Sequence, residues 1–147
     1  DPRVVVLERT NVRYLSREQI PDPLDLATID VSFISLKLIL PAVHALLKET
    51  GQVLCLIKPQ FEAGKDKVGK KGVVREQSTH LEVLEHFLEN AADAGFSVAG
   101  LDFSPIRGPE GNIEYLGHLL YGRGQDKVQD IARLVAESHN CLEGKEK

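Results

Sequence analysis

The sequence predicts an α/β fold with a mostly parallel sheet and a final antiparallel strand. Three observations carry this. The run Val53-Leu54-Cys55-Leu56-Ile57 is apolar without a break and stops at Lys58-Pro59, which reads as a strand buried on both faces under covering helices. Runs of this kind alternate with segments of helical apolar spacing, the pattern of parallel strands joined by right-handed crossovers. The last two strands have only a Gly- and Pro-rich loop between them, so the final one must run antiparallel to its neighbour.

Val4-Val5-Val6-Leu7 reads as the first strand, followed by the polar run Glu8-Arg9-Thr10-Asn11-Val12-Arg13. Ser16 is placed to cap a short turn over Arg17, Glu18 and Gln19. Pro21-Asp22-Pro23 is a loop. Leu24 leads into a second strand, centred on residues 26–29 and ending in the acid Asp30. Leu36, Ile39, Leu40, Val43, Leu46 and Leu47 repeat with helical spacing, so a helix crosses back over the sheet. Pro41 is expected to kink it, and Gly51 stands in the usual stop position. The strand over residues 53–57 follows, and Pro59 ends its ladder by removing an N–H.

A long loop, residues 63–75, contains Gly64, Gly69 and Gly72. Leu81, Val83, Leu84, Phe87, Leu88 and Ala91 mark a helix that ends at Gly95. Phe96 to Phe103 alternates loosely as a strand. Ser104-Pro105-Ile106-Arg107-Gly108-Pro109-Glu110-Gly111-Asn112 is a shaped loop. A further strand runs to Tyr121, pairing over residues 114–121. Residues 125–138 are predicted helical, with Val128, Ile131, Leu134 and Val135 on one side. Residues 142–147 are predicted to be a disordered tail.

At 147 residues the chain is the size of one domain, and 42% apolar composition is enough for a core. A formal charge of -4 does not announce a nucleic-acid binder, so such a role needs a local basic patch. No apolar run reaches the roughly 18 residues of a membrane span, and there is no signal peptide. Cys55 lies in the apolar strand and Cys141 near the polar end, a usage that fits a reduced cytosol. His44, His80, His86, His118 and His139 show no metal-ligand spacing. The chain opens on Asp1 and enters a strand almost at once, which reads as a piece of a longer protein cut inside a sheet.

Three charged residues stand at strand ends or loop exits: Asp30, Lys58 and Glu114. Ligands of open α/β sheets bind beyond the carboxyl ends of the strands. Neighbouring parallel strands there would put Asp30 and Lys58 within about 5 to 10 Å of each other. An acid, a lysine and a second acid at one rim can handle protons. A lysine takes up a proton only when neutral, which calls for burial or a nearby cation, and no such cation stands in this set. The alternative is a surface ion-pair cluster. Lys65, Lys67, Lys70, Lys71 and Arg75 face Asp66 alone within the long loop, so this loop either contacts phosphates or is solvated and mobile. Thr10 and Asn11 are placed for a ligand at the rim or for a turn.

Four segments taken together resemble the TlyA ("hemolysin A") family, itself similar to FtsJ-like 2′-O-ribose methyltransferases. They are Glu8-Arg-Thr-Asn-Val-Arg13, Ile29-Asp-Val-Ser-Phe-Ile-Ser-Leu36, Leu56-Ile-Lys-Pro-Gln-Phe-Glu-Ala-Gly64 and Ser104-Pro-Ile-Arg-Gly-Pro-Glu-Gly-Asn-Ile-Glu-Tyr-Leu116. The resemblance runs from Asp1 to about Cys141. It implies a truncated Rossmann-like sheet, S-adenosyl-L-methionine as cofactor, and methylation of a ribose 2′-hydroxyl, of cytidine, in ribosomal RNA. It implies a catalytic set Lys-Asp-Lys-Glu, in which Asp30, Lys58 and Glu114 match the last three members and the first lysine lies upstream. It also implies that Asn11 and Val12 contact the adenine and that Asp30 and Val31 lie near the methionine part. Nothing here matches the family's Gly-rich cofactor loop or its S4-like RNA-binding domain.

Residues 1–141 are therefore expected to be the C-terminal portion of a methyltransferase domain, inactive alone, from a cytoplasmic protein that works on ribosomal RNA or a ribosomal subunit. The rival readings are a non-catalytic RNA-binding or assembly module and, less favoured, a hemolysin, which would need an amphipathic basic helix or an apolar span. A sheet cut in this way should leave one edge and one face raw, exposing residues such as Leu7 and Ile29. That edge would self-associate with another copy, or the face would remain an apolar patch.

Overall fold

The computed structural model describes residues 1–128 and 130–143. Its centre is a four-stranded sheet in the order β1-β2-β4-β3. The strands are β1 (Leu24–Ile29), β2 (Leu47–Ile57), β3 (Phe96–Phe103) and β4 (Tyr115–Tyr121). β1 and β2 are parallel, while β4 is inserted antiparallel between β2 and β3. The fold class read from the sequence is therefore the one observed. The inversion of β4 has a consequence for the site: Tyr115, its first residue, pairs with Ile57 at the end of β2 and with Phe103 at the end of β3. The start of β4 lies at the rim where the other strands finish.

The helices are α1 (Leu36–Leu46), the single turn α2 (Pro59–Glu62), α3 (Gln77–Asp93) and α4 (Ile131–Glu143). α1 packs against α3 and α3 against α4, with Leu36, Ile39, Leu40 and Val43 of α1, Val83, Leu84 and Phe87 of α3, and Val135 and Leu142 of α4 buried. All pack into one core with Val53, Cys55, Ile57, Tyr115 and Leu119 of the sheet. Gly117 lets α3 come close, because a Cβ there would lie 2.7 Å from Phe87 Cζ. Tyr115 carries a hydroxyl into this core and satisfies it on Ser138 Oγ at 2.8 Å.

Among the described residues, only one face of the sheet is covered. Val53, Cys55 and Ile57 of β2 are buried, but the intervening Leu54 is 48% exposed, and Leu26 and Leu116 beside it are 53% and 44% exposed. This corrects the expectation that the β2 run is buried on both faces: its composition suits two covered faces, and the helices occupy one. The raw face is thus present, and β1 is an open edge, but Ile29 points the other way and is buried.

Four further expectations are corrected. Val4, Val5, Val6 and Leu7 form no strand and are exposed, because no described strand lies beside them to complete a ladder. Gly51 does not stop α1: Leu47 turns extended directly after the helix, so β2 begins six residues before Val53. Gly51 sits in a register irregularity between the Leu24–Leu47 and Leu26–Gln52 pairs, where a Cβ would meet Lys48 O at 2.9 Å. The last helix starts at Ile131 instead of residue 125. Asp126 Oδ1 accepts from Val98 N (2.8 Å) and Lys127 N donates to Val98 O (2.9 Å), tying that stretch to β3. Asp130 then caps α4 through Arg133 N. Leu142, assigned to the tail, is buried in α4, and residues 144–147 lie outside the described residues. α1 runs on through Pro41, which sits on its exposed side.

Candidate active site

Ile29 ends β1 and Ile57 ends β2, so the next residues, Asp30 and Lys58, leave the sheet side by side. Lys58 Nζ lies 2.5 Å from Asp30 Oδ1 and 3.4 Å from Ser32 Oγ. The Lys58 side chain is only 11% exposed, against 72% for Asp30. Lys58 is held extended as the N-cap of α2, with Pro59 in the first helical position. The lysine thus leaves a rigid corner and reaches an acid that solvent still sees.

Glu114 arrives from the start of the antiparallel β4 and is 5% exposed. It reaches Gln60 instead of Lys58: Gln60 Nε2 donates to Glu114 Oε2 at 2.9 Å. On its other side the carboxylate presses on Gly108, where a Cβ would stand 2.4 Å from both Cδ and Oε2. Glu114 O accepts from Ser104 N at 2.8 Å, closing the base of the 104–112 loop. Asn112 ties this loop to the basic one, donating from Nδ2 to Gly72 O (2.9 Å) and accepting at Oδ1 from Val74 N (3.0 Å).

The sequence reading missed how much the turn after Lys58 organises. Its consecutive residues Gln60, Phe61 and Glu62 each hold a different segment. Gln60 holds Glu114. The ring of Phe61 stands 4.9 Å from that of Phe33. Glu62 accepts from Ser35 Oγ at 2.6 Å and from Leu36 N at 2.8 Å, capping α1 from outside. Burial pushes the Glu62 carboxyl above its usual range, opposed by those two hydrogen bonds. Phe33 is 88% exposed and adopts φ +65, a left-handed conformation that a bulky residue rarely takes. In the sequence Phe33 stands in the mixed stretch Val31-Ser32-Phe33-Ile34-Ser35, which does not mark it as exposed.

Of the residues expected to meet a cofactor, Val12, Asp30 and Val31 line one cleft of about 260 Å³ that runs along β1 from Leu24 to Asp30, with Leu15, Ile20 and Ile39 among its apolar walls. An apolar cleft with a carboxylate at its lip fits part of an adenosine or aliphatic group. Asn11 is not among the lining residues: its Oδ1 accepts from Arg13 N at 3.1 Å and caps the 3₁₀ turn Val12–Tyr14.

The basic loop is less basic in space than in sequence. Lys65, Lys70, Lys71 and Arg75 are exposed, but Lys67 is ion-paired with Glu82 of α3. Asp66, Glu76 and Glu82 share a cleft with Lys67 and Arg75. The loop is anchored where Val73 and Val74 are buried, through Asn112 and through His80 Nε2, 3.0 Å from Val74 O.

Comparison with known proteins bears on the fold and the family. The family profile for FtsJ-like methyltransferases matches residues 1–121. YqxC of Bacillus subtilis, which bears the name of an rRNA methyltransferase, is 47% identical over 151 aligned residues, covering 99% of this chain and 54% of that protein. TlyA of Mycobacterium tuberculosis, named a 16S/23S rRNA (cytidine-2′-O)-methyltransferase, is 44% identical over 115 residues, covering 78% of this chain and 43% of its own. A solved Streptococcus thermophilus protein that carries a hemolysin label superposes with a TM-score of 0.93 at 48% identity, covering 99% of this chain and 54% of that one. The chain spans about half the length of these relatives. With the profile covering most of its length and the sheet ordered as described, this chain belongs to the FtsJ-like methyltransferase family.

Proposed function

We propose that this chain is the C-terminal portion of a methyltransferase domain, and that the intact protein methylates a ribose 2′-hydroxyl of cytidine in ribosomal RNA. The observation that carries the reading is the Lys58–Asp30 pair at the carboxyl rim, 2.5 Å apart, with Glu114 held nearby by Gln60. The relative named as a cytidine-2′-O-methyltransferase supports the choice of substrate. No helix among the described residues is long and apolar enough to cross a membrane, and the cytoplasm is the proposed place of work.

S-adenosyl-L-methionine, when bound, supplies an electrophilic methyl group. Val12, Asp30 and Val31 hold part of it in the cleft along β1. A ribose hydroxyl is a weak acid and a poor nucleophile, so this chain's task is to place it and relieve it of its proton. Lys58 accepts or polarises that proton, beside a further lysine that the family's set places upstream of this chain. Asp30 orients Lys58, and Glu114 orients the ribose. Positioning of this kind can supply about 7 to 11 kcal/mol of a barrier. Lys65, Lys70, Lys71 and Arg75 meet RNA phosphates. The exposed ring of Phe33, backed by Phe61, offers a base a stacking surface beside Lys58. The open β1 edge and the uncovered sheet face are where the remaining chain, or a second copy, would dock. The chain alone lacks the Gly-rich turn, and it is inactive in this reading.

The test is labelled methyl transfer to ribosomal RNA by the intact protein. Lys58→Ala abolishes transfer while leaving cofactor affinity largely intact. Lys58→Arg fails as well, since arginine stays protonated. Full activity in either variant would remove Lys58 from the mechanism.

A further inference from the structure

Glu114 is nearly inaccessible, and two features fix its carboxylate. Gly108 lies against one side so closely that a Cβ there would stand 2.4 Å from the nearest carboxylate atoms and would displace them. Gly108 has φ -79, open to any residue, so what excludes a side chain there is Glu114 and not backbone strain. On the other side stands the Gln60 amide, 2.9 Å from Oε2. The far end of that amide is unusual. Gln60 Oε1 is buried and has no hydrogen-bond partner among the described residues, a condition native structures seldom carry. The reverse orientation would set Oε1 against a carboxylate oxygen, two acceptors face to face. The amide therefore takes the orientation that serves Glu114 and leaves its own oxygen without a donor.

Gln60 is also tied to Lys58. Only Pro59 separates them, and its ring fixes the backbone between the two. The residue that grips Glu114 is thus rigidly connected to the residue that grips Asp30.

We propose that Gln60 is a positioning residue, whose side-chain N–H sets the Glu114 carboxylate in register with Lys58. The proposal rests on the catalytic reading of Lys58 and Glu114 given above. It adds a link between the end of β2 and the start of β4.

The experiment is a pH–rate profile of methyl transfer by the intact protein and its variants, with melting temperature and cofactor Kd measured alongside. Gln60→Ala should lower kcat by about tenfold or more at every pH, with KM for ribosomal RNA and cofactor Kd within about threefold. Gln60→Glu separates positioning from bulk. While the introduced carboxyl and Glu114 share one proton, an O–H of the pair replaces the amide N–H and activity approaches wild type. When both ionise they repel, so the variant should lose activity progressively as pH rises. Gln60→Ala within about twofold of wild type in kcat, or Gln60→Glu impaired equally at all pH, would overturn the proposal. Lys58→Ala and Glu114→Ala, run in parallel, test the reading beneath it. If they keep activity, the catalytic reading falls and Gln60 falls with it. If they are inactive while Gln60→Ala is unaffected, only the positioning role is lost.

Discussion

Replacing Glu62 by alanine tests whether the turn after Lys58 holds the first loop in place. Its carboxylate accepts from Ser35 Oγ at 2.6 Å and from Leu36 N at 2.8 Å. Ser35 is itself the N-cap of α1, bonded to Lys37 N. Glu62→Ala removes two hydrogen bonds and orphans the Leu36 N–H. A typical hydrogen bond nets about 0.5 to 1.5 kcal/mol and an orphaned buried donor costs about 1 to 3, so the loss should be about 1 to 3 kcal/mol. For a domain of this size that lowers the melting temperature by roughly 2 to 12 °C.

The pH dependence gives the prediction its sign. Burial raises the Glu62 carboxyl above its ordinary range, so the folded state binds this proton more tightly than the unfolded chain does. The stability Glu62 provides is therefore complete below the unfolded carboxylate value and declines as pH rises through the higher folded value. The gap between wild type and Glu62→Ala should be widest at the acidic end and narrow toward neutrality. Urea unfolding followed by circular dichroism between about pH 4 and 8 measures it. A gap that widens with rising pH, or a variant as stable as wild type throughout, would refute the account of Glu62 as a buried cap.

Gly117→Ala would put a methyl group 2.7 Å from Phe87 Cζ and 3.2 Å from Cys55 Sγ. It should cost about 1 to 3 kcal/mol in denaturant unfolding, and adding Phe87→Leu should recover part of the loss. On the uncovered face the expectation is opposite: Leu54→Gln with Leu116→Gln should change the stability of this chain by less than about 1 kcal/mol. The pair should also reduce binding of a hydrophobic dye such as ANS. A loss above about 2 kcal/mol would mean that this face is covered in solution.

The sequence was most legible where one physical signal dominated. The apolar run before Lys58, the helical spacing across α3 and the glycine after it left few alternatives, and β3 occupies the predicted residues, Phe96–Phe103. It was least legible where tertiary contacts overrode local preference. Val4-Val5-Val6-Leu7 has the composition of a strand, but a strand exists only beside a partner. Gly51 looked like a helix stop because stops and strand irregularities both use glycine, and nothing local distinguishes them. Residues 125–130 have helical spacing, yet Asp126 and Lys127 find better partners on Val98.

The candidate site was legible as a set of charges and not as a set of contacts. Asp30 and Lys58 could be paired in advance because consecutive parallel strands deliver their ends to one rim. Glu114 could be brought to that rim only by deducing that the last strand is inverted. Nothing in the sequence showed that β4 would be inserted between β2 and β3, instead of added outside them. That insertion brings Tyr115 opposite Ile57 and so sets Glu114 beyond the end of β2. The burial that follows differs: the Asp30 side chain is 72% exposed, that of Lys58 11%, and Glu114 as a whole residue is buried. The most accessible member can exchange its partners with solvent and ligand. The least accessible can act only through what touches it, and among the described contacts of its carboxylate the polar one is Gln60. A reading that listed charged residues was bound to miss this neutral amide, because its importance comes from the orientation it is forced to take.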